Sequence, residues 1–578
     1  MKKEAVLHLN TEDFIYPIAR NSLVVKLRTA KSDLLECQIV HFCRTKPDVK
    51  NCRKLEKKYS DDLFDYYEVE VDFSKVARYQ KYYFQLTDNE GKDEYYTATG
   101  FSKEEPQDGY FEFLYANQGD VISYPEWAKG AVYYQIFPER FANGDTRNDP
   151  PNTQPWGTLP TRENYMGGDL KGVQDKIPYL RDLGIEVIYF NPIFEADFNH
   201  KYATTDYYKI DPIFGTNEEF GSLVKELHKA GIRVVLDGVF NHTGIHFKQF
   251  HDVIEKGAQS KYYGWFLPNK EKDITVTHKD YECVGAYKYM PKLNSSNPQV
   301  RAFILDVMDF WIREYEIDGW RLDVADEVDS AVWQEARTIL KEKYPDIILL
   351  GETWGYGGTL TTGKRLDSVM NYMFRDALRD YFGFEKISAT EFDARINRML
   401  ALYKGETSDI LYNLLDSHDT ERFLFYCGND VEKLKLAVAF QLMFKGAPAI
   451  YYGDEVGITG DNDPDCRKCM VWDEDKQNKE LLDWYKTLIK LRKDHDCIKK
   501  GSYRTLECNK EDDLVMFERA DDKEKIRVII YKGTSEKVVK VEGLEGGIDL
   551  ISDQTLATDP DGKIAIKPCS IKVIKVKN

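Results

Sequence analysis

The stretch Ile232-Arg-Val-Val-Leu-Asp237-Gly-Val-Phe-Asn241-His242 joins an apolar run to a polar cluster, and this arrangement occurs again further along the chain. Three more polar clusters follow short apolar runs: Gly319-Trp-Arg321-Leu-Asp323, Gly351-Glu352-Thr-Trp354 and Asp416-Ser-His418-Asp419. Such runs are typical of strands in a buried parallel sheet. Because the carboxyl ends of the strands in a parallel barrel meet on one face, the four clusters predict a single site on that face.

From about residue 128 the sequence alternates candidate strands with helical segments. Eight strands are predicted, beginning near residues 131, 185, 232, 317, 347, 368, 410 and 447. The helical segment 217–230 is amphipathic, and Gly231 follows it as a typical helix-ending residue. Eight strands with intervening helices predict an α/β fold, a (β/α)₈ TIM barrel, over residues 123–500.

The spacing of the clusters indicates a small inserted domain after the third strand. Asp237 and Asp323 lie 86 positions apart (323 − 237), whereas Asp323 and Glu352 lie 29 apart (352 − 323). A connection as long as the first, without secondary structure of its own, is uncommon in a compact domain. We therefore predict an inserted domain at 243–295.

Both ends of the chain have the alternating pattern of β-strands. Residues 1–122 include the alternating segment 66–73 and the hairpin signal Asp88-Asn-Glu-Gly91, which together predict an N-terminal β-sandwich. Short alternating segments return after residue 500, for example at 526–531, and predict a C-terminal antiparallel β-sandwich at 501–578.

Composition limits the partners and the compartment. The chain has 578 residues and a net charge of −18, which argues against binding to nucleic acid. It contains no run of 18 apolar residues and no apolar leader, so we expect no membrane association and a cytoplasmic location. The ten cysteines are scattered, which favours reduced thiols, and Cys466-Arg-Lys-Cys469 lacks a second ligand pair for zinc.

The chemistry of the clusters favours cleavage of a glycosidic bond. That reaction requires at least two carboxyl groups, and Asp323 and Glu352 supply them at neighbouring strand ends. Because neighbouring strands keep the two groups close together, the mechanism with retention of configuration is favoured. Arg321 shares a strand face with Asp323 and is expected to hold it ionised, while that charge raises the proton affinity of Glu352. The alternative, that each carboxylate only caps a helix or pairs with an arginine, explains four clusters in register less well.

Three further polar side chains in the clusters are expected to bind the hydroxyl groups of a sugar. Asp419 can accept hydrogen bonds from them, and His242 and His418 can donate.

The four clusters, in this order, resemble the four signature regions of glycoside hydrolase family 13, the α-amylase family. Met290-Pro-Lys-Leu-Asn294 resembles the extra signature of its neopullulanase, cyclomaltodextrinase and maltogenic amylase branch. The resemblance implies a retaining, endo-type hydrolase of α-1,4-linked glucans, acting on cyclodextrins, pullulan, starch and maltooligosaccharides, with maltose as a main product and some transglycosylation. It also implies a homodimer, in which the carbohydrate-binding-like N-terminal module of one chain helps to enclose its partner's cleft.

The same resemblance implies a role for each site residue. Asp323 is expected to be the nucleophile, Glu352 the acid/base and Asp419 the stabiliser of the transition state. The remaining substrate-binding positions that it implies are Tyr202, His242, Arg321, His418, Glu327, Trp354, Asp463 and Arg467. Asp326 stands where the branch more often has asparagine, which leaves open the balance between hydrolysis and transglycosylation.

A structural calcium ion is expected near the first strand. Hard oxygen donors gather at Asn143, Asp145, Asn148, Asp149, Gly168 and Asp169. Their spacing resembles a calcium site of the branch, in which a glycine contributes its carbonyl oxygen. A polar loop with Asx-turns is the alternative interpretation.

Two other functions remain as alternatives. The first is a dedicated 4-α-glucanotransferase, and the second is a non-catalytic carbohydrate-binding relative, against which the complete set Asp323, Glu352 and Asp419 argues. The segment Gly358-Thr-Leu-Thr-Thr-Gly-Lys-Arg365 is close to a phosphate-binding loop, but Arg365 replaces the required hydroxyl, so we predict a surface loop.

Overall fold

The computed structural model describes residues 1–269, 274, 280–511, 513–544, 546–556 and 562–576. The chain begins with two antiparallel sheets that pack on each other around a shared apolar core. Their strands are Ile15–Ala19, Ser22–Ala30, Leu34–Cys43, Asn51–Lys54, Glu56–Ser60, Phe64–Asp72, Arg78–Asp88, Asp93–Thr97, Gly100–Ser102 and Phe111–Tyr115. The predicted hairpin at Gly91 joins two of these strands, and its backbone takes the positive φ of +77° that glycine tolerates.

The central sheet contains the eight predicted strands, all parallel to their neighbours, and confirms the barrel. A parallel bridge between Met370 and Tyr412 connects the sixth strand to the seventh and closes the ring. In chain order the strands are Tyr133–Ile136, Val187–Phe190, Arg233–Gly238, Gly319–Leu322, Ile348–Gly351, Ser368–Val369, Tyr412–Leu414 and Ala447–Tyr451.

Helices surround the barrel; several of them bury one apolar face, whereas Val431–Met443 is buried on all sides from Leu434 onward. In Asn217–Lys229 a capping box joins Thr216 and Glu219 at the start, and Phe220 and Leu227 face the core. The helices of the described chain are Pro138–Phe141, Leu170–Asp175, Ile177–Leu183, Asn217–Lys229, Lys248–Lys256, Pro298–Tyr315, Ser330–Lys343, Tyr372–Leu378, Ala389–Leu402, Gly405–Ser408, Phe423–Tyr426, Val431–Met443, Lys479–Asp494 and Asp496–Lys500.

The sixth strand is shorter than the sequence pattern suggests. The apolar run from Ser368 to Tyr372 predicts five strand residues, but the strand comprises only Ser368–Val369, followed by the single bridge of Met370. The side chain of Asn371 accepts a hydrogen bond from the Phe374 amide and so caps a helix that begins at Tyr372. The capping asparagine therefore overrides the strand propensity of the apolar run.

The predicted insertion follows the third strand. Within it the structure describes the helix Lys248–Lys256 and short bridges that return the chain to the barrel, such as His242 to Lys292 and Phe266 to Leu293. Residues 270–273 and 275–279 of the predicted 243–295 domain lie outside the described residues.

The chain ends in an antiparallel sheet with a separate two-stranded sheet beside it. Its strands are Ser502–Asn509, Leu514–Ala520, Lys525–Tyr531, Lys537–Lys540, Ile548–Asp549, Gln554–Thr555, Lys563–Ile566 and Ser570–Val576. Among the described residues, no helix is both long and apolar enough to span a membrane.

One buried arginine joins several chain segments at the bottom of the barrel. Arg492 is fully buried, and its guanidinium donates hydrogen bonds to the carbonyl oxygens of Gly130, Leu442 and Phe444 at 2.8–2.9 Å and to that of Gly446. These carbonyl groups lie where no helix or strand bond satisfies them, so the arginine supplies donors that water would otherwise provide.

We predict that Arg492→Leu lowers the free energy of unfolding by roughly 3 kcal/mol or more, because it leaves several buried carbonyl groups without donors. Differential scanning calorimetry of the two proteins tests this. The control is Arg53→Leu, at an exposed strand position, which should leave the melting temperature nearly unchanged. Equal melting temperatures for Arg492→Leu and wild type would contradict the prediction.

Candidate active site

A cavity of about 580 Å³ opens at the carboxyl ends of the barrel strands. Most of the predicted site residues line it: Tyr202, His242, Asp323, Glu352, Trp354, Asp419, Asp463 and Arg467. Arg321 and His418 are fully buried and contact these residues from below. The parallel register places the strand ends side by side, with Asp237 opposite Arg321 on neighbouring strands.

The guanidinium of Arg321 connects the carboxylates of three neighbouring strands. Its Nη1 contacts Asp237 Oδ1 and Asp323 Oδ1, both at 2.8 Å, and its Nη2 lies 2.8 Å from Glu352 Oε2. Asp237 is fully buried and pairs with Arg321. One cation thus holds both candidate catalytic carboxylates in place, and a planar fork suits this task better than an ammonium.

Burial changes the expected protonation of Asp323. Burial raises the pKa of Asp323 well above its usual value, and the carboxylates of Glu352, Asp237 and Asp419 act in the same direction, while Arg321 opposes them. Burial therefore has a larger effect on this carboxyl group than the arginine, in a cluster that carries more carboxylates than one guanidinium balances.

His418 is held as a neutral imidazole by its surroundings. Burial lowers its pKa well below the usual value, and the cations Arg467 and Arg321 lower it further. Its Nδ1 lies 2.8 Å from Gln135 Nε2, an amide nitrogen that can only donate, so the imidazole proton lies on Nε2. That Nε2 faces Asp419 Oδ2 at 3.0 Å and the Tyr202 hydroxyl at 2.5 Å.

His242 differs from the sequence-based expectation that it donates to a ligand. Its Nε2 lies 3.1 Å from the carbonyl oxygen of Tyr202, which fixes the proton on that nitrogen. Its Nδ1 is buried without a hydrogen-bond partner among the described residues, and burial lowers the pKa of the imidazole to about 4. The Nε2–H of His242 is therefore engaged within the protein.

Asp419 stands on the side of the cavity where the loop 463–467 approaches. Arg467 Nη2 lies 3.3 Å from Asp419 Oδ1, and Arg467 Nη1 lies 2.9 Å from Asp463 Oδ1. Arg467 Nε also donates to the carbonyl oxygen of His418 at 2.9 Å. The predicted residues Asp463 and Arg467 thus belong to the same wall of the cavity as Asp419.

Trp354 and Glu327 occupy different places. The ring of Trp354 stacks on that of Tyr372, with centroids 4.2 Å apart, and half of its surface is exposed at the cavity edge. Glu327 does not line the cavity; it lies in a neighbouring groove of about 370 Å³, 2.8 Å from Lys292 Nζ. Asp326 lines the same groove and accepts a hydrogen bond from the Thr353 hydroxyl.

Several cavity residues were missed by the sequence analysis. Gln135 and Asn191 lie at the ends of the first two barrel strands and hydrogen bond to each other at 2.9 Å, beneath His418 and Tyr202. Polar residues at these two strand ends were a signal that could have revealed them. A row of aromatic rings also lines one wall, in the order Tyr202, His200, Phe198, Tyr289 and Tyr287.

The region of the expected calcium site offers oxygen atoms that fit a hard cation. The side-chain oxygens of Asn143 and Asn148 are buried without a hydrogen-bond partner among the described residues. Asp149 lies beside them and accepts a hydrogen bond from Asn143 Nδ2 at 2.8 Å. Buried amide oxygens without donors fit a cation that prefers oxygen ligands.

Asp145, Asp169 and Gly168 have other contacts in this region. The Asp145 carboxylate pairs with exposed Arg147, and this neighbour lowers the pKa of Asp145 to about 2. Asp169 caps the helix Leu170–Asp175 by accepting from the Gly172 amide and also accepts from Asn148 Nδ2. A Cβ on Gly168 would lie 2.2 Å from the carbonyl oxygen of Pro138, so the backbone approaches closely here. No cluster of three His, Cys, Asp or Glu suited to a metal occurs in the described part of the chain.

Comparisons with known proteins agree with the geometry. Residues 135–501 match the α-amylase catalytic domain, and residues 1–117 match the α-amylase N-terminal Ig-like domain. The chain is 40% identical to a cyclomaltodextrinase of Thermoanaerobacter pseudethanolicus, with 100% of both chains covered. It is 42% identical to neopullulanase 2 of Thermoactinomyces vulgaris, with 95% of this chain and 94% of that protein covered. A solved structure of a cyclomaltodextrinase, 37% identical, superposes with a TM-score of 0.94 over 100% of both chains.

We predict that His242 and His418 remain neutral from pH 8 down to pH 5.5, because burial depresses both pKa values. Nitrogen-15 chemical shifts of histidine-labelled protein measure the protonation of each imidazole. Spectra of the His242→Gln and His418→Gln variants assign the two signals. Since unfolded histidine protonates near 6.5, these groups should also lower the free energy of unfolding as the pH falls below that value. Imidazole shifts that titrate between pH 6 and 7 would contradict the prediction.

Proposed function

The chain belongs to the α-amylase family of glycoside hydrolases, and on that premise we propose that it cleaves α-1,4-glucosidic bonds with retention of configuration. The proposed substrates are cyclodextrins, pullulan, starch and maltooligosaccharides, with maltose as a main product. The names of the two relatives refer to cyclomaltodextrins and to pullulan, which supports this range. The observation that carries the proposal is the contact of Arg321 with both Asp323 and Glu352 at the cavity floor.

In the proposed reaction the two carboxylates take different roles. Glu352 gives a proton to the glycosidic oxygen while Asp323 attacks the anomeric carbon, forming a covalent glycosyl-enzyme and releasing the leaving sugar. Glu352 then removes a proton from water, which attacks the same carbon and frees Asp323. The nucleophile must be ionised when it attacks, and Arg321 favours the ionised form of Asp323 by donating directly to it.

The remaining polar groups suit a sugar in the first donor position. Asp419 is about one-third exposed and has carboxylate oxygens available to sugar hydroxyls, while the imidazole of His242 lines the same cavity. Both become more effective when the sugar excludes water from the cavity. Tyr202, stacked with His418 at a ring angle of 5°, is the proposed platform beneath the sugar.

The groove beside the cavity supports a secondary transfer activity. A sugar hydroxyl that takes the place of water would give transglycosylation, and Asp326 and Glu327 line a groove near Thr353 where such an acceptor can lie. The asparagine that is commoner in the branch is neutral, whereas Asp326 adds a negative charge to this groove.

We also propose a structural calcium ion bound by Asn143, Asn148 and Asp149, with Asp145, Asp169 and the carbonyl group of Gly168 nearby. The two unpaired amide oxygens support it. When bound, such an ion neutralises the carboxylates and holds the loop that precedes the helix Leu170–Asp175. It has no part in the bond cleavage.

Two properties of the whole protein are further proposals. All ten cysteines are free thiols, which supports a reducing, cytoplasmic compartment; fractionation of the source cells tests this. A homodimer rests on the likeness to the branch alone. Sedimentation equilibrium at the mass of one chain, 67.2 kDa, would contradict it.

We predict that Glu352→Gln lowers the rate of product formation roughly 10²- to 10⁴-fold, because the amide cannot deliver a proton. Chromatography of the sugars released from β-cyclodextrin, pullulan and soluble starch measures the rate, and the product pattern distinguishes hydrolysis from glucan transfer. The matched control is Glu342→Gln on the exposed surface of the helix Ser330–Lys343, which should behave as wild type. An inactive wild type, or an undiminished Glu352→Gln variant, would refute the mechanism.

We predict that excess CaCl₂ raises the melting temperature above that in EGTA by roughly 2 °C or more, because ligand binding stabilises the folded state. Asn148→Ala removes one of the unpaired oxygens and should abolish this difference. The control is Asn152→Ala at an exposed position in the same loop, which should keep it. Equal melting temperatures of wild type in CaCl₂ and EGTA would exclude the site.

A further inference from the structure

The segment 353–366, which follows Glu352, lies against the N-terminal sandwich as well as the barrel. Lys364 Nζ is 2.6 Å from Glu12 Oε1 and 3.4 Å from Asp120 Oδ1. At Gly363 a Cβ would lie 2.5 Å from the side chain of Ile122, so the two parts of the chain touch closely. The segment that the sequence analysis compared with a phosphate-binding loop is thus an interdomain contact.

A second set of contacts fixes the start of this segment to the end of the helix Ala389–Leu402. The Gly357 amide donates to the Tyr403 hydroxyl at 2.9 Å, and the Tyr356 hydroxyl donates to the carbonyl oxygen of Leu402 at 2.9 Å. The rings of Tyr356 and Tyr403 also meet edge to face, with centroids 5.1 Å apart. The buried Tyr403 hydroxyl therefore sets the position of the backbone five residues after Glu352.

The chain around Tyr403 is in turn held by a buried lysine of the N-terminal sandwich. Lys26 Nζ donates to the carbonyl oxygens of Ala401 and Tyr403, at 3.2 and 2.9 Å, and lies 3.2 Å from Glu68. Only 7% of Lys26 is exposed. A buried ammonium is tolerated only where acceptors satisfy it, so these three contacts fix the helix end against the sandwich.

The other end of the segment reaches the reacting groups. Trp354 lines the cavity edge, and the Val324 amide donates to Glu352 Oε2 at 2.9 Å. A general acid must touch the oxygen of the bond that breaks, so the residues beyond Glu352 lie on the side of the leaving sugar. A shift of the segment would therefore move both the proton donor and the wall beside the leaving group.

We propose that Tyr403 and Lys26 are positioning residues that orient Glu352 and Trp354 toward the leaving sugar. Lys26 holds the helix end, Tyr403 holds Gly357, and Gly357 fixes the segment that carries Trp354. The N-terminal sandwich thereby acts on acid catalysis within its own chain. This inference rests on the proposed glycosidase function.

The test compares two substrates that differ in their need for a proton. Maltotriose has a sugar leaving group that Glu352 must protonate, whereas the fluoride of α-maltosyl fluoride leaves with little protonation. For Tyr403→Phe, which removes one hydroxyl group, we expect kcat/KM to fall about fivefold with maltotriose, the size of one lost hydrogen bond, and to stay within about twofold with the fluoride. Because kcat/KM reports the first irreversible step, it isolates this protonation.

The control is Tyr124→Phe, which removes another hydroxyl at the junction between the domains. The Tyr124 hydroxyl contacts Thr407 Oγ1 at 2.7 Å and, among the described residues, makes no hydrogen bond to segment 353–366, so the rates with both substrates should be unaffected. Lys26→Met should repeat the selective loss seen with Tyr403→Phe. Unchanged kinetics, or an equal loss with both substrates, would overturn the inference, whereas a wild type that cleaves neither substrate would overturn the proposed function itself.

Discussion

The contact of one buried guanidinium with three carboxylates is the constraint on which the site depends. Arg321 holds Asp237, Asp323 and Glu352 on three neighbouring strands, and it can do so because the parallel register brings their ends to one level. Without that cation, the carboxylates would repel one another in a region from which water is largely excluded. Burial and the neighbouring carboxylates raise the pKa of Asp323 even in the presence of this cation.

The sequence predicted the fold well where hydrophobic pattern decides it. Each of the eight apolar runs forms a barrel strand, because fully buried parallel strands require continuous apolar residues. The sixth strand was predicted too long, since Asn371 caps a helix within the apolar run. Polar residues after strands 4, 5 and 7 identified Asp323, Glu352 and Asp419, whereas Gln135 and Asn191 were missed because neither carries a charge.

Properties that depend on distances in space were less accessible from sequence. The tautomer of His242 is set by a carbonyl 40 residues away, and the protonation of Asp323 by burial that no local pattern records. Glu327 lies four residues after Asp323 in sequence (327 − 323) but faces a groove beside the cavity, because Lys292 from the inserted region contacts its carboxylate there. The aromatic row from Tyr202 to Tyr287 likewise could not be predicted, because its rings come from two segments that lie far apart in the sequence.

The attachment of segment 353–366 to the N-terminal sandwich bears on how the protein responds to heat. Proteins open locally before they unfold as a whole, and small units with few buried contacts open first. If the sandwich loosens, Lys26 and Glu12 release the segment while the barrel strands are still paired. The temperature at which catalysis fails is then set by the stability of the N-terminal sandwich, and it can lie below the temperature at which the barrel melts.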